Sequence, residues 1–138
     1  YGLAGLRVGY GVGPKELIAS LERVRQPFNL NGMAQVAALA ALDDDDHLEK
    51  TRRINHNGLA YFSEAFSAMG LEWVPSHGNF VLVKVGDGAK WFAALQKQGV
   101  IVRPMAGYKL PEWIRVSVGV QRENEKCVAA MKAVLADT

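Results

Sequence analysis

The strongest guide to the fold is a change of sequence pattern after Gly70. A long stretch of helical periodicity ends there, and short apolar runs then alternate with amphipathic stretches. We predict strands at 71–74, 79–85, 100–103 and 113–118, and helices at 89–98 and 123–136. Strands and helices in this order predict an α/β domain in which helices cover one side of a sheet.

The part of the chain before Gly70 is predicted to be mostly helical. A short apolar run at 6–10 predicts a strand, and Pro14 opens a helix that ends before Pro27. After a loop at 28–32, an alanine-rich helix covers 34–42. Four aspartates at 43–46 precede a long helix, whose N-terminus they complement and which Gly70 ends. We therefore divide the chain into 1–43, a connecting helix at 44–70 and a small domain at 71–138.

Composition indicates an ordinary globular protein and argues against several partners. The net charge is only +2 and the basic residues form no block, which argues against nucleic acid. No apolar stretch is long enough to cross a membrane. The aspartates at 43–46 match no calcium loop, so no metal is expected.

The single cysteine, Cys127, fits a reducing cytoplasm and reads as an inert thiol in an apolar helix. Because the chain opens at Tyr1, without Met and inside a segment that reads as ordered, we expect a piece of a longer protein.

Arg7 is the first candidate binding residue. It lies among several glycines, which let the backbone approach a ligand closely, and its planar fork suits a phosphate. A surface arginine at a turn-rich strand entry is the alternative. The glycines at 9, 11 and 13 also suggest a dinucleotide loop, but their spacing differs from that fingerprint and no acidic residue follows at the required distance.

Two strand arginines, Arg103 and Arg115, form the second candidate. Ile114 and its alternate neighbours predict one buried face, which leaves Arg115 on the other face. That face is either solvated or aimed into a cleft, and two such arginines favour a shared site for a carboxylate or phosphate. Asn79 could present its amide to a ligand or simply cap a turn. His77 has the best position of the histidines, although turn exposure explains it equally well.

The segment 1–10, Tyr-Gly-Leu-Ala-Gly-Leu-Arg-Val-Gly-Tyr, resembles the stretch after the Schiff-base lysine of class I and II (fold type I) aminotransferases. The resemblance implies that Arg7 binds the phosphate of pyridoxal 5′-phosphate. It also implies that the lysine precedes Tyr1 by two residues, so that this chain contains no catalytic residue. The expected architecture is the end of the large domain followed by the small C-terminal domain.

Four later segments, at 76–83, 99–104, 107–111 and 114–119, resemble histidinol-phosphate aminotransferases in order and spacing. This resemblance implies that Arg115 binds the anionic end of the substrate, that Arg103 assists it and that Asn79 lines the same side of the cleft. The implied reaction of histidine biosynthesis exchanges an amino group between histidinol phosphate and 2-oxoglutarate, giving glutamate. The loop at 27–31 would approach the other subunit of a cytoplasmic homodimer.

Three alternatives remain open at the level of sequence. Aromatic amino acid aminotransferases and threonine-phosphate decarboxylases of the same family also need arginines for anionic substrates. The third alternative is a folded fragment that does not catalyse, because the lysine, the aspartate and the aromatic contacts to the cofactor ring would all lie upstream.

Overall fold

The computed structural model describes residues 1–137 and divides into two compact units, Tyr1–Thr51 and Arg52–Thr138. We call them the N-terminal and the C-terminal unit. The division falls inside a long helix, α3 (Asp45–Ala68), so this helix contributes residues to both units.

The N-terminal unit is helical. A 3₁₀ turn at Ala4–Leu6 is followed by α1 (Lys15–Val24), α2 (Gly32–Leu42) and the start of α3. The strand predicted at 6–10 was wrong, because the 3₁₀ turn occupies its beginning and the described chain offers it no neighbouring strand. Strands need a ladder partner for their N–H and C=O groups, which an apolar run alone does not supply.

Side chains near the helix starts explain where α2 and α3 begin. Asn31 precedes α2, and its Oδ1 accepts a hydrogen bond from the Ala34 N–H at 2.8 Å. Asp44 does the same for α3, where its Oδ1 accepts from the His47 N–H at 3.0 Å. Two further aspartates lie in the first turn of α3. The predicted role of the acidic run at this helix N-terminus is therefore confirmed.

The C-terminal unit contains a four-stranded sheet and two further helices. In chain order its elements are β1 (Trp73–Val74), β2 (Phe80–Lys84), α4 (Gly88–Lys97), β3 (Arg103–Pro104), a 3₁₀ turn (Ala106–Tyr108), β4 (Trp113–Ser117) and α5 (Gln121–Ala136). The strands lie in the order β1-β2-β4-β3, and every neighbouring pair is antiparallel.

Helices cover one face of this sheet, as predicted. Val81 and Val83 of β2 alternate with partly buried neighbours, and Ile114 and Val116 of β4 lie directly opposite them. These four side chains share one buried cluster with residues of the last part of α3, of α4 and of α5, among them Phe62, Phe66, Trp91, Leu95 and Met131. The opposite face carries the alternate residues of the same strands, Arg115 among them.

Two strands begin later than predicted, for the same reason. Gly70 and Gly99 both adopt a left-handed backbone, with φ of 69° and 71°. The next residue then returns its N–H to the preceding helix: Leu71 to Phe66 O and Val100 to Leu95 O, both at 3.0 Å. This is the Schellman arrangement of a helix end. Since those N–H groups cap helices, β1 starts at Trp73, and the strand predicted at 100–103 keeps only Arg103 in the ladder.

Candidate functional site

The pairing of β3 with β4 brings two of the predicted site residues together. Arg103 lies directly opposite Arg115, with Pro104 opposite Ile114. Like charges at directly opposed positions of antiparallel strands destabilise the sheet. Within residues 1–137 neither guanidinium has an acidic partner at ion-pair distance. The sheet therefore carries an uncompensated pair of positive charges, which an anion would stabilise.

An aromatic ring supports one of these arginines. The guanidinium carbon of Arg115 lies 4.8 Å from the centroid of the Phe80 ring, a cation–π distance. Phe80 pairs with Ser117 and Leu82 pairs with Arg115, so Phe80 is diagonal to the arginine on the same sheet face. The Nε atom of Arg115 is buried and finds no acceptor among the described residues. The two Nη atoms are the nitrogens that remain accessible to a ligand.

Asn79 is next to Phe80 in the chain, and the hydrogen bond that it makes in the described structure is a backbone one. It is exposed, it immediately precedes Phe80, and its carbonyl oxygen accepts the N–H of Val118 at 2.8 Å. The turn before it is shaped by Ser76, whose Oγ accepts the Gly78 N–H at 3.0 Å. His77, in the same turn, is exposed. A contact of the Asn79 amide with a ligand stays a prediction.

Sequence reasoning missed Asn55, which contacts the same turn from α3. Its Nδ2 donates to the Gly78 carbonyl oxygen at 3.0 Å. Its Oδ1 is buried and accepts no hydrogen bond from any residue between 1 and 137. The available signal was periodicity: Asn55 precedes the buried Gly58 and Phe62 at helical spacing, so it is a polar residue on the apolar side of a helix.

Arg7 belongs to the N-terminal unit. It follows the 3₁₀ turn with φ 57° and ψ 46°, a left-handed backbone that is rare outside glycine. Its N–H and its Nη1 both donate to the Ala4 carbonyl oxygen, at 3.1 and 2.8 Å. The side chain is exposed and, in the described chain, has no carboxylate at ion-pair distance. A Cβ built at Gly5 or Gly9 would meet no atom within 4 Å, so the backbone beside Arg7 is open to approach.

A cleft of about 680 Å³ in the N-terminal unit lies beside this loop, but Arg7 is not among its lining residues. Its walls are mostly apolar, with Leu3, Val8, Leu39 and Leu42 among them, and no charged side chain lines it. A phosphate or carboxylate therefore finds no charged side chain there, and the candidate anion-binding residues remain the three arginines.

Two other kinds of site are absent from residues 1–137. No group of three or more His, Cys, Asp or Glu side chains is arranged to hold a metal ion. No helix combines the length and the apolar character needed to cross a membrane. Cys127 is buried as expected, and burial raises the pKa of its thiol from 9.0 to about 11.

A comparison with known protein families identifies one that accounts for these features of the chain. The model of the family "aminotransferase class I and II" matches residues 1–131, and the chain belongs to this family.

The two similar proteins described next are both histidinol-phosphate aminotransferases. The chain is 54% identical to histidinol-phosphate aminotransferase 2 of Ralstonia nicotianae over 99% of its length, and 53% identical to the histidinol-phosphate aminotransferase of Akkermansia muciniphila over 98%. It spans only 37% of each of these relatives.

Solved structures share the fold of this chain, and they include aspartate aminotransferases as well as histidinol-phosphate aminotransferases. The histidinol-phosphate aminotransferase of Clostridium acetobutylicum matches with a TM-score of 0.86 and 26% identity, over 99% of this chain and 43% of that one. The enzyme of Sinorhizobium meliloti, solved in complex with pyridoxal-5′-phosphate, matches with a TM-score of 0.81 and 28% identity, over 99% and 39%.

Proposed function

We propose that this chain is part of a histidinol-phosphate aminotransferase that depends on pyridoxal 5′-phosphate. The whole protein would exchange an amino group between histidinol phosphate and 2-oxoglutarate in histidine biosynthesis. The observation that carries the proposal is the pair Arg103 and Arg115, opposed on neighbouring strands without an acidic partner in the described chain. Identity of 54% to a histidinol-phosphate aminotransferase supports it.

The arginine pair suits both substrates of this reaction. Histidinol phosphate carries a phosphate and glutamate carries two carboxylates, and a guanidinium fork can bind either group through two N–H donors. Because Nε of Arg115 is buried, its two Nη atoms would engage the anion end-on. Arg103, exposed on the neighbouring strand, would add a second charge to the same anion. We place Asn79 at the edge of this binding site.

The residues of the N-terminal unit fit the phosphate of the cofactor. Arg7 is exposed, has no acidic neighbour at ion-pair distance in residues 1–137, and lies among glycines whose surroundings are open. Its backbone is left-handed, and its Nη1 donates to the Ala4 carbonyl oxygen, which holds the side chain against the 3₁₀ turn. Bound pyridoxal phosphate would supply the electron sink for the reaction. The role of Arg7 would be to hold its phosphate, and the lysine that binds the cofactor covalently would belong to the remainder of the protein.

A homodimer is part of this proposal. Phe28 lies in the loop at 27–31, adopts a left-handed backbone with φ 57° and exposes 99% of its surface. A large apolar side chain that is fully exposed on a strained backbone is costly unless a partner covers it. Contact with the second subunit would supply that partner. The buried, unmodified Cys127 is compatible with a cytoplasmic enzyme.

The test is a single-turnover reaction of the complete protein loaded with pyridoxal phosphate. The change in the visible absorbance of the cofactor is followed as histidinol phosphate, phenylalanine or tyrosine is added. We expect histidinol phosphate to react fastest. A faster reaction with an aromatic amino acid would assign the protein to that neighbouring subfamily, and release of carbon dioxide from threonine phosphate would assign it to the decarboxylases. No absorbance change with any of them would contradict the enzyme proposal.

A further inference from the structure

Asn55 joins a helix to the turn that precedes the arginine site. Its Nδ2 donates to the Gly78 carbonyl oxygen across 23 positions of sequence, and the main chain reaches Phe80 two residues later. In the described residues the turn at 76–78 has two side-chain hydrogen bonds. One is this bond from Asn55, and the other joins the Ser76 Oγ to the Gly78 N–H. Asn55 therefore ties the turn that leads into β2 to helix α3.

The position of Phe80 in turn affects Arg115. The ring lies under the guanidinium, and Phe80 is the first residue of β2, two residues after Gly78. A shift of the turn would move the ring first and would then release the guanidinium, because no described residue accepts a hydrogen bond from Nε. The like charge of Arg103 opposite would favour such a release.

The hydrogen-bond balance of Asn55 is poor for a residue that serves only stability. Its Oδ1 is buried without a donor, which costs free energy, while its Nδ2 satisfies a carbonyl in an exposed residue that water could serve equally well. An apolar side chain of the same shape would avoid the first cost. Such a side chain would, however, lose the hydrogen bond to the turn.

We infer that Asn55 is a positioning residue, which holds the Gly78–Phe80 segment so that the Phe80 ring fixes the guanidinium of Arg115 for anion binding. The inference rests on the proposed function in one respect, namely that Arg115 binds an anion. It adds a residue on α3 that acts on this site through the turn and the ring, without touching the anion.

The experiment measures inorganic phosphate binding to the complete protein loaded with its cofactor, by titration calorimetry, together with stability in urea. The central variant is Asn55→Leu, which keeps the branched shape but has no donor and no buried acceptor. Asn57→Leu, at an exposed position on the same helix, is the matched control. Arg115→Leu reports whether phosphate binds at this arginine at all.

We expect Asn55→Leu to raise the dissociation constant for phosphate about three- to tenfold, the range that one net hydrogen bond gives, without lowering stability. The control should change neither quantity. In the Phe80→Leu background, Asn55→Leu should change phosphate binding by less than about twofold, since coupled residues are non-additive.

Each other result overturns the inference in a recognisable way. Unchanged phosphate affinity in Asn55→Leu removes the positioning role. Loss of affinity together with stability makes Asn55 merely structural, and a full effect in the Phe80→Leu background excludes the route through the ring. If Arg115→Leu binds phosphate normally, the anion site itself is misplaced, and the proposed function loses its main support.

Discussion

Replacement of Arg115 by leucine should separate the stability of the protein from its affinity for anions. In the structure this arginine opposes Arg103, buries an Nε without an acceptor and stacks on Phe80. Two of these three features cost free energy in the absence of a ligand. Leucine removes both and keeps an apolar contact with the ring. Stability and binding are therefore expected to respond in different directions.

The expected magnitudes follow from these contacts. Relief of a like-charge pair contributes about 0.2–1 kcal/mol, and relief of a buried unpaired donor about 1–3 kcal/mol. Loss of the cation–π contact costs about 0.5–2 kcal/mol. Together these ranges give a change in unfolding free energy between about −0.8 and about +3.5 kcal/mol in the absence of anions, with a midpoint just above about +1 kcal/mol. Loss of charge-assisted hydrogen bonds to an anion costs about 1.5–3 kcal/mol, which is roughly 10- to 150-fold in affinity.

The assay compares the complete enzyme and its Arg115→Leu variant in urea unfolding, in phosphate binding and in the KM for histidinol phosphate and for glutamate. Arg122→Leu, at an exposed arginine in the first turn of α5, is the control for loss of a charge alone. Both KM values should rise in Arg115→Leu and neither in the control. Lower stability with unchanged KM values would refute the reasoning, since Arg115 would then be a structural residue.

Three further predictions concern other parts of the chain. Arg7→Gly, which suits the left-handed backbone, should weaken cofactor retention about tenfold or more; full cofactor absorbance after dialysis would contradict this. Phe28→Asp should shift the complete protein from dimer to monomer in analytical ultracentrifugation, whereas an unchanged dimer would place the loop outside the interface. Burial raises the pKa of Cys127 from 9.0 to about 11, so the folded state favours the neutral thiol. Stability should therefore fall by up to about 1.4 kcal/mol per pH unit between these two values, and a Cys127→Ala variant should lack this component in urea unfolding.

Local sequence patterns predicted the elements better than their ends. Alternation around Ile114 correctly assigned the buried face of β4 and left Arg115 on the other face. It could not show that the N–H groups of Leu71 and Val100 bond to carbonyl oxygens at the ends of the preceding helices. Those hydrogen bonds depend on the left-handed conformation of the glycine before each residue. The error at 6–10 has a related cause: an apolar run does not reveal whether a partner strand exists.

The sequence predicted which residue types belong to the candidate site. It did not predict which of these residues face each other across the strands. The resemblance singled out Arg103 and Arg115, but the register that sets one against the other comes only from the structure. Asn55 escaped notice because its importance lies in a hydrogen bond to Gly78, which no local pattern encodes. The ring of Phe80 was visible in the sequence as a strand residue, and its contact with the guanidinium was not.

The strand order also sets the sequence in which this sheet can assemble. β2 pairs with β4, although α4 and β3 lie between these two strands in the chain. β3 and β4, in contrast, are joined by one short connection. Loop-closure entropy favours the nearer pairing first. That nearer pairing is the one that opposes Arg103 to Arg115, so the charges repel each other before β2 joins β4. Anions in the refolding buffer should therefore speed folding, so this pair of charges would also affect the folding rate of the chain.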